Sequence, residues 1–579
     1  MKKLFIILSL VFVSCHETSY FRETGMQSNS FRKITMVGAL DKIKTLKLPY
    51  VEMYFSQILG KGSGKQMDYK MDKVTQTKLS GITNFTTIVK ATPPGNYNGV
   101  KIGTDGRLIP SAYEKVITFE SEKTPTREIY IAPHGNDING NGNIDSPYKT
   151  VLKGMEFATQ GTAIRIMPGE YNEHIYHSSL HGTEAKPIWI GGVPGMERPR
   201  MVHENGFINI SGGSYVILHD MEVLHPTPYR SGRHGIHVNC GCGPVYLDPD
   251  DPNTINLDSY NNPEATHHFV FRNLYVHHIG DSPFKLSGVY HYWLFDCEVA
   301  YAQQGLRGSG AIDNVGSHNA TVAYNYLHHS IGIGIVFKGG SSNADIYNNL
   351  NIDFGACGVQ MGQQTGKRFF IPPLHTLPEN ERYEAKDIRT YSNIFIGGGY
   401  SINEGFIGST PFTFSGSVNC YAVNNTVISP SGYLFRILHQ ELIFDPDYPS
   451  APRLTNNGAT NHGTISNNIF YYGKLTEAIN IGHDTEPETF TVQNNLFYNT
   501  DNPNSKPDFG RLSAENSFFY TDPHFEDVSN YNFTLKSNSP AIKVSVDVQF
   551  VTKDGIPFAT EDYERRPFKN SRSIGAIQY

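Results

Sequence analysis

Charged residues are scarce in this chain of 579: Asp, Glu, Lys and Arg make up 18% of it, with a formal net charge of -7 and a pI near 6.4. That balance offers no broad positive surface for phosphates and sets nucleic acid aside as a partner, while leaving room for a local basic groove. Cysteine is scarce as well. Besides Cys15 there are Cys240, Cys242, Cys297, Cys357 and Cys420, an odd number. No CxxC pair or His/Cys spacing of a zinc site occurs, so these five read as small buried residues. Outside the N-terminus no stretch is apolar and long enough to cross a bilayer. What the chain has in quantity is 55 Gly, 33 Pro and 12% aromatic residues, the composition of a folded, turn-rich, β-rich protein.

The N-terminus reads "MKKLFIILSLVFVSCHE": two lysines, a short apolar run, then Ser14-Cys15, the pattern of an export signal. It resembles a bacterial lipoprotein signal, in which the cysteine is lipidated, although Phe12 stands where leucine is usual. The resemblance implies a protein of the cell envelope or surface, anchored through Cys15 and touching the membrane only there. The alternative is an ordinary secretory signal and a secreted protein.

Residues 16–30 are polar and read as a tether. From 31 to 122, stretches such as "TTIVKATPPGNYNGVKIG" and "EKVITFESE" alternate apolar and polar residues around Pro-Gly and Asn-Gly turns, predicting a small antiparallel, β-sandwich-like domain. The remainder, 123–579, has a different character. It opens with "IYIAPHGNDINGNGNIDSPYKTVLKGMEFATQGTAIRIMPGEYNEHIYHSS" and then "GTEAKPIWIGGVPGMERPRM". Its body repeats at roughly 23 residues, in the range of solenoid rungs: "HHFVFRNLYVHHIGDSPFKLSG", "HYWLFDCEVAYAQQGLRGSGAIDNVGS", "NATVAYNYLHHSIGIGIVFKGGS" and "NADIYNNLNIDFGACGVQMGQ". Each holds an apolar strand, a corner carrying Asn273, Asp296, Asn325 or Asn348, a second apolar pair, a glycine and a short third strand. Asn and Asp tolerate left-handed corners and stack between turns, so this column reads as structural. The opening, body and tail resemble right-handed parallel β-helix proteins of the pectate-lyase-like superfamily, and the fold expected is all-β. An amphipathic segment from Pro147 to Ala158 is expected to form a short helix closing the open end of the stack.

Aligning the third strands puts polar residues in one column: His237 in "GIHVN", Lys285 in "PFKLS", Asp313 in "AIDNV", Lys338 in "VFKGG", Gln360 in "GVQMG" and Arg436 in "YLFRI". Alternate side chains face opposite ways, so apolar neighbours point inward and this column outward. Long insertions rich in Tyr, Phe and Pro follow Asn239, Gly362 and Arg436 and are expected to wall a groove above it. Cations on the floor and aromatics on the sides suit an acidic polysaccharide. Arg307, and Lys367 and Arg368 in the middle insertion, are further candidates to bind it.

Uronic-acid polymers are cleaved by β-elimination, which needs a base for the C5 proton and positive charge beside the growing enolate. A lysine serves as base only when its pKa falls, and neighbouring cations or desolvation lower it. Lys338 is the first choice and Lys285 the second. Both "PFKLSG" and "VFKGGS" resemble the lysine motif of polysaccharide lyase family 9, with Lys338 closer in its glycines. That family holds calcium with a carboxylate cluster, and here only Asp281 and Asp313 stand near the equivalent place. The chondroitinase B and alginate lyase family is a looser match. Glycosidase chemistry of the polygalacturonase type needs paired aspartates, which the column lacks. The expectation is a monomeric lyase. A non-catalytic surface protein using the same face for glycan or host binding is the alternative, since fold alone does not decide between them.

Overall fold

The computed structural model describes residues 92–226, 234–240, 245–246, 255–256, 266–302, 310–330, 332–397, 410–430, 432–441, 452–555 and 572–578. All of these lie in the compact unit Thr92–Tyr579. Cys15, the tether, most of the expected small β domain and Arg307 lie outside the described residues.

The body of the unit is a right-handed parallel β-helix, as the repeats predicted. Each turn contributes to three parallel sheets. Sheet 1 stacks strands such as Tyr290–Phe295, His318–Ala323, Ser341–Tyr347 and Ala385–Tyr391. Sheet 2 stacks Glu298–Ala300, Tyr326–Ser330, Leu350–Phe354 and Ile394–Ile396. Sheet 3 stacks Ile236–Asn239, Phe284–Ser287, Gly310–Val315, Ile333–Lys338, Cys357–Met361, Thr410–Ser415 and Phe435–Leu438. Inward-facing residues of sheet 3, from Ile236 and Phe284 through Ile312, Ile335 and Val359 to Phe412 and Phe435, are buried in one continuous core. A period of two places one set of side chains inside and its alternates outside, which is how the polar column comes to face away from the core.

The corner between sheets 1 and 2 explains the asparagines and corrects their alignment. A left-handed residue recurs there at Asn273, Asp296, Tyr324, Asn348, Ser392, Asn424, Asn467 and Asn494, with φ between 51° and 57°. Asn325, expected in that column, instead follows Tyr324 and starts a second, inward one. Buried amides of Asn325, Asn349, Asn393, Asn425, Asn468 and Asn495 donate each to the next at 2.9–3.0 Å. The receiving oxygen also accepts the main-chain N–H of the preceding asparagine, as Asn393 Oδ1 does from Asn349 N at 2.9 Å. Asn393→Ala would strand that N–H and the Ile346 carbonyl that Asn393 serves. The expected cost is about 3 kcal/mol, since a buried unsatisfied group costs roughly 1–3 kcal/mol, and a fall in urea midpoint would measure it.

The outer corner residues carry the flanking segments. Asn348 Nδ2 donates to Asn98 O at 2.8 Å, and Asn98 Nδ2 to Ser392 O at 2.6 Å. In the tail, the amides of Asn424, Asn467 and Asn494 donate to the carbonyls of Ser573, Val546 and Val544. Residues 92–122 contribute a three-stranded antiparallel sheet, Gly95–Tyr97, Val100–Ile102 and Leu108–Ile109. Its apolar side chains join a buried cluster with Trp189, Ile217 and Phe295 of the coil.

The closing helix spans Val151–Glu156, shorter than the sequence pattern, because Tyr148 is held in a bridge to Ile131 and Thr150 is the N-cap. Thr150 Oγ1 accepts from Lys153 N at 3.2 Å, and Glu173 takes up the next orphan donor, Val151 N, at 2.9 Å. Val151, Gly154 and Met155 are its buried face. Cys297, Cys357 and Cys420 are free and buried, as expected, whereas Cys240 is disulfide-bonded.

Candidate functional site

On the outer face of sheet 3 the observed register runs His237, Lys285, Asp313, Val336, Gln360, Thr413, Arg436. Lys338 is therefore not in the column where the sequence alignment put it. It sits two residues further on, opposite Val315, still on the outward face. The glycines show why. Gly288, Gly316, Gly339 and Gly416 close their turns with φ between 56° and 67°, and each lies three residues beyond Lys285, Asp313, Val336 or Thr413. The glycine after "FK" is thus a feature of this corner, shared by four of the turns. At Gly339 a Cβ would stand 2.9 Å from Val315 Cγ1, and at Gly340 2.9 Å from Ile371 O, so neither position admits a side chain without displacement.

From its shifted position Lys338 reaches back across one rung. Its Nζ lies 3.5 Å from Asp313 Oδ1 and donates to Gln363 Oε1 at 2.8 Å. Lys285 Nζ donates to Asp313 Oδ2 at 2.6 Å. The Asp313 side chain is 2% exposed, those of Lys285 and Lys338 18% and 13%. Burial alone would raise the Asp313 carboxyl, but the two ammonium groups outweigh it and hold its pKa at about 2. Burial pushes the Lys338 ammonium below its ordinary value; Asp313 opposes that shift and Lys285 adds to it. The triad therefore combines a fixed anion with two cations, one of which is biased toward giving up its proton.

Two residues that sequence reasoning missed fix Lys338 in place. Gln363 carries its hydrogen bond. Glu384, buried, accepts from Gly339 N at 2.9 Å and from Thr365 N and Oγ1 at 2.8 and 2.7 Å, tying the middle insertion to the turn after Lys338. Burial raises its carboxyl to about 7. Nothing in the local sequence marked either residue. The same insertion forms short turns at Lys367–Phe369, Leu374–Thr376 and Glu379–Glu381, and Ile371 N donates to Gly339 O at 3.1 Å, so it does stand beside the site. The insertion after Asn239 lies almost wholly outside the described residues, as does 442–451 of the third.

Other candidates divide. His237 is in register with Lys285, and burial lowers its pKa to about 3, leaving it neutral. Its ring centroid is 5.2 Å from that of His234, whose Nδ1 lies 3.5 Å from Asp281 Oδ2; the signal for His234 was its place in "RHGIH". Gln360 is in the column but buried, flanked by Val336 and Thr413. Arg436 lies further along, its Nε and Nη2 donating to Asn480 Oδ1 at 3.3 Å. Lys367, expected at the groove, is instead 3% exposed, its Nζ 2.7 Å from Glu441 Oε1. A buried ammonium needs a partner, and this pair joins the second insertion to the third. Arg368 lies over the exposed ring of Phe369, 4.5 Å from its centroid.

For calcium, the likeness implies only Asp281 and Asp313 as carboxylates near the equivalent place. Asp313 is already neutralised by two ammonium groups, Asp281 faces His234 and Ser282, and no group of three or more His, Cys, Asp or Glu is placed to hold a metal among the described residues.

No protein-family model and no curated protein matches the chain. Solved structures do. Pectate lyase Pel9A is similar over 79% of this chain and 97% of its own at 14% identity, with a TM-score of 0.40. XylC in complex with xylose is similar over 78% and 98% at 10% identity, TM-score 0.46. A lacto-N-biosidase from Eubacterium ramulus is similar over 68% of both chains at 12% identity, TM-score 0.43. At these identities the likeness is one of fold.

Proposed function

We propose that this protein binds a uronate-containing polysaccharide along the outer face of sheet 3 and cleaves it by β-elimination. The observation that carries the reading is the convergence of Lys285 and Lys338 on the buried carboxylate of Asp313. Asp313 fixes both ammonium groups on a face that looks away from the core. Lys338, the group biased toward the neutral amine, takes the C5 proton. The electron pair of that C–H bond forms the C4–C5 double bond as the C4–O bond breaks, and the leaving oxygen takes up a proton from water. Lys285, held by its short bond to Asp313, supplies positive charge beside the substrate carboxylate while the enolate develops. No step is assigned to calcium. The chain would act outside the cytoplasm, anchored by a lipid on Cys15.

Incubation with pectins, alginates and glycosaminoglycans, with and without calcium, tests the reading through the ultraviolet absorbance of the unsaturated uronate product. Wild type is expected to generate it on at least one polymer, and Lys285→Ala to lower the rate about 100-fold, as loss of one charge-stabilising group does. Binding without product on every polymer would make this a glycan-binding surface protein instead.

A further inference from the structure

We infer that the groove extends three rungs beyond Lys285 to Tyr176, and that Tyr176 is a stacking platform for a neutral sugar of the same polymer chain. This rests on the reading of sheet 3 as the polysaccharide face. Tyr176 is 62% exposed, on a strand otherwise anchored by buried Ile175 and Leu180. Its register ties it to the site: Tyr176 pairs with Asn209, Asn209 with His237, and His237 with Lys285. Strands in a sheet are roughly 4.8 Å apart, close to the length of one pyranose unit in an extended chain, so three rungs span about 14 Å, or three sugars. A polymer lying along the helix axis places about one unit over each rung.

Among the described residues, the side chains paired between Tyr176 and Lys285 are Asn209 and His237, with Ser211 and Asn239 beside them, all polar and none a carboxylate or ammonium. Ser211 Oγ donates to Asn239 Oδ1, and Asn239 Nδ2 to Asn209 Oδ1, both at 2.9 Å. These half-buried amides and hydroxyls suit sugar hydroxyls, and the neighbouring His237 is neutral. A uronate over Tyr176 would lose hydration with no cation among the described residues of this floor to replace it, whereas the apolar face of a neutral sugar gains from an aromatic ring. The two halves of the face thus select different units: uronate at the lysines, neutral sugar at the tyrosine. The substrate class that satisfies both is a heteropolymer with neutral sugars close to the cleaved uronate, not a homopolymer of uronates.

The test measures binding in the Lys338→Ala background, so that cleavage does not enter. The probes are polygalacturonate, alginate, hyaluronate and the alternating rhamnose–galacturonate backbone of pectin. One of the alternating polymers is expected to bind at least tenfold tighter than either homouronan. Adding Tyr176→Ala should weaken that binding about tenfold, the size of one aromatic contact, and Tyr176→Phe should keep it. Neither variant should move the urea midpoint, because the side chain is exposed. Equal affinity of Tyr176→Ala and its parent for every polymer bound, tighter binding of a homouronan, or no binding at all would overturn the proposal. Absence of cleavage by wild type, with this binding pattern intact, would overturn the lyase reading alone.

Discussion

Lys338→Ala is expected to lower the elimination rate by about 10²–10⁴-fold, the usual contribution of a positioned general base, while leaving polysaccharide affinity within a few-fold of wild type. The pH profile separates loss of a base from loss of a binding group. A lysine is a base only as the neutral amine, so wild-type activity should rise with pH until the folded-state pKa of Lys338 is passed. That pKa lies below the ordinary value of 10.5. Lys285→Ala removes a cation that helps lower it, so the rise should move to higher pH in that variant. Lys338→Arg should be as inactive as the alanine variant despite keeping the charge, because a guanidinium does not give up its proton. An arginine variant with near-wild-type rate would remove Lys338 from the chemistry and leave it a cationic contact.

Asp313→Asn should be the most destabilising single change at the site. It leaves two ammonium groups without their anion in a largely enclosed place. Breaking a fully buried pair costs about 3–5 kcal/mol; the partial exposure of Lys285 and Lys338 discounts this to about 2–3 kcal/mol, read as a lower urea midpoint. The sign of its pH dependence follows from the carboxyl. Its folded pKa of about 2 lies below the ordinary 3.8. The ionised form therefore stabilises the native state fully above about pH 4, and that contribution is lost as pH falls toward 2. Wild type should lose stability across this window, and Asp313→Asn should lack that component. The same substitution removes the group that raises the Lys338 pKa, so any remaining activity should appear at lower pH than in wild type. A variant with unchanged midpoint would mean that the lysines find other partners.

The fold was legible because its signals repeat. A turn of roughly 23 residues with one corner residue and one corner glycine appears many times over, and errors at one turn are outvoted by its neighbours. Register was not legible in the same way. Aligning "VFKGG" on "PFKLS" matched the letters around Lys338 and missed that the corner glycine is the fixed point; counting three residues back from Gly339 reaches Val336. The asparagines failed similarly, since two adjacent columns, one left-handed and one inward, use the same residue type, and Tyr324 occupies the corner that Asn325 was expected to hold. Lys367 illustrates a different limit. A lysine in a loop reads as exposed unless its partner is known, and Glu441 is remote in sequence. Gln363 and Glu384 meet Lys338 and its turn only because the intervening insertion folds back, which no local pattern records.

The internal row of asparagine amides makes the turn the natural unit of change in this molecule. Each amide meets its two neighbours in the same way from Asn325 to Asn495, so a whole turn inserted within that stretch would bring its own asparagine and restore every bond, whereas a partial turn would break the row. Loops leave from the corners and do not interrupt it. Descendants of such a chain are free to lengthen or shorten by complete turns, and each turn gained or lost changes the length of the outer face by about one rung. The internal asparagine row thereby sets the step in which the exterior can be resized.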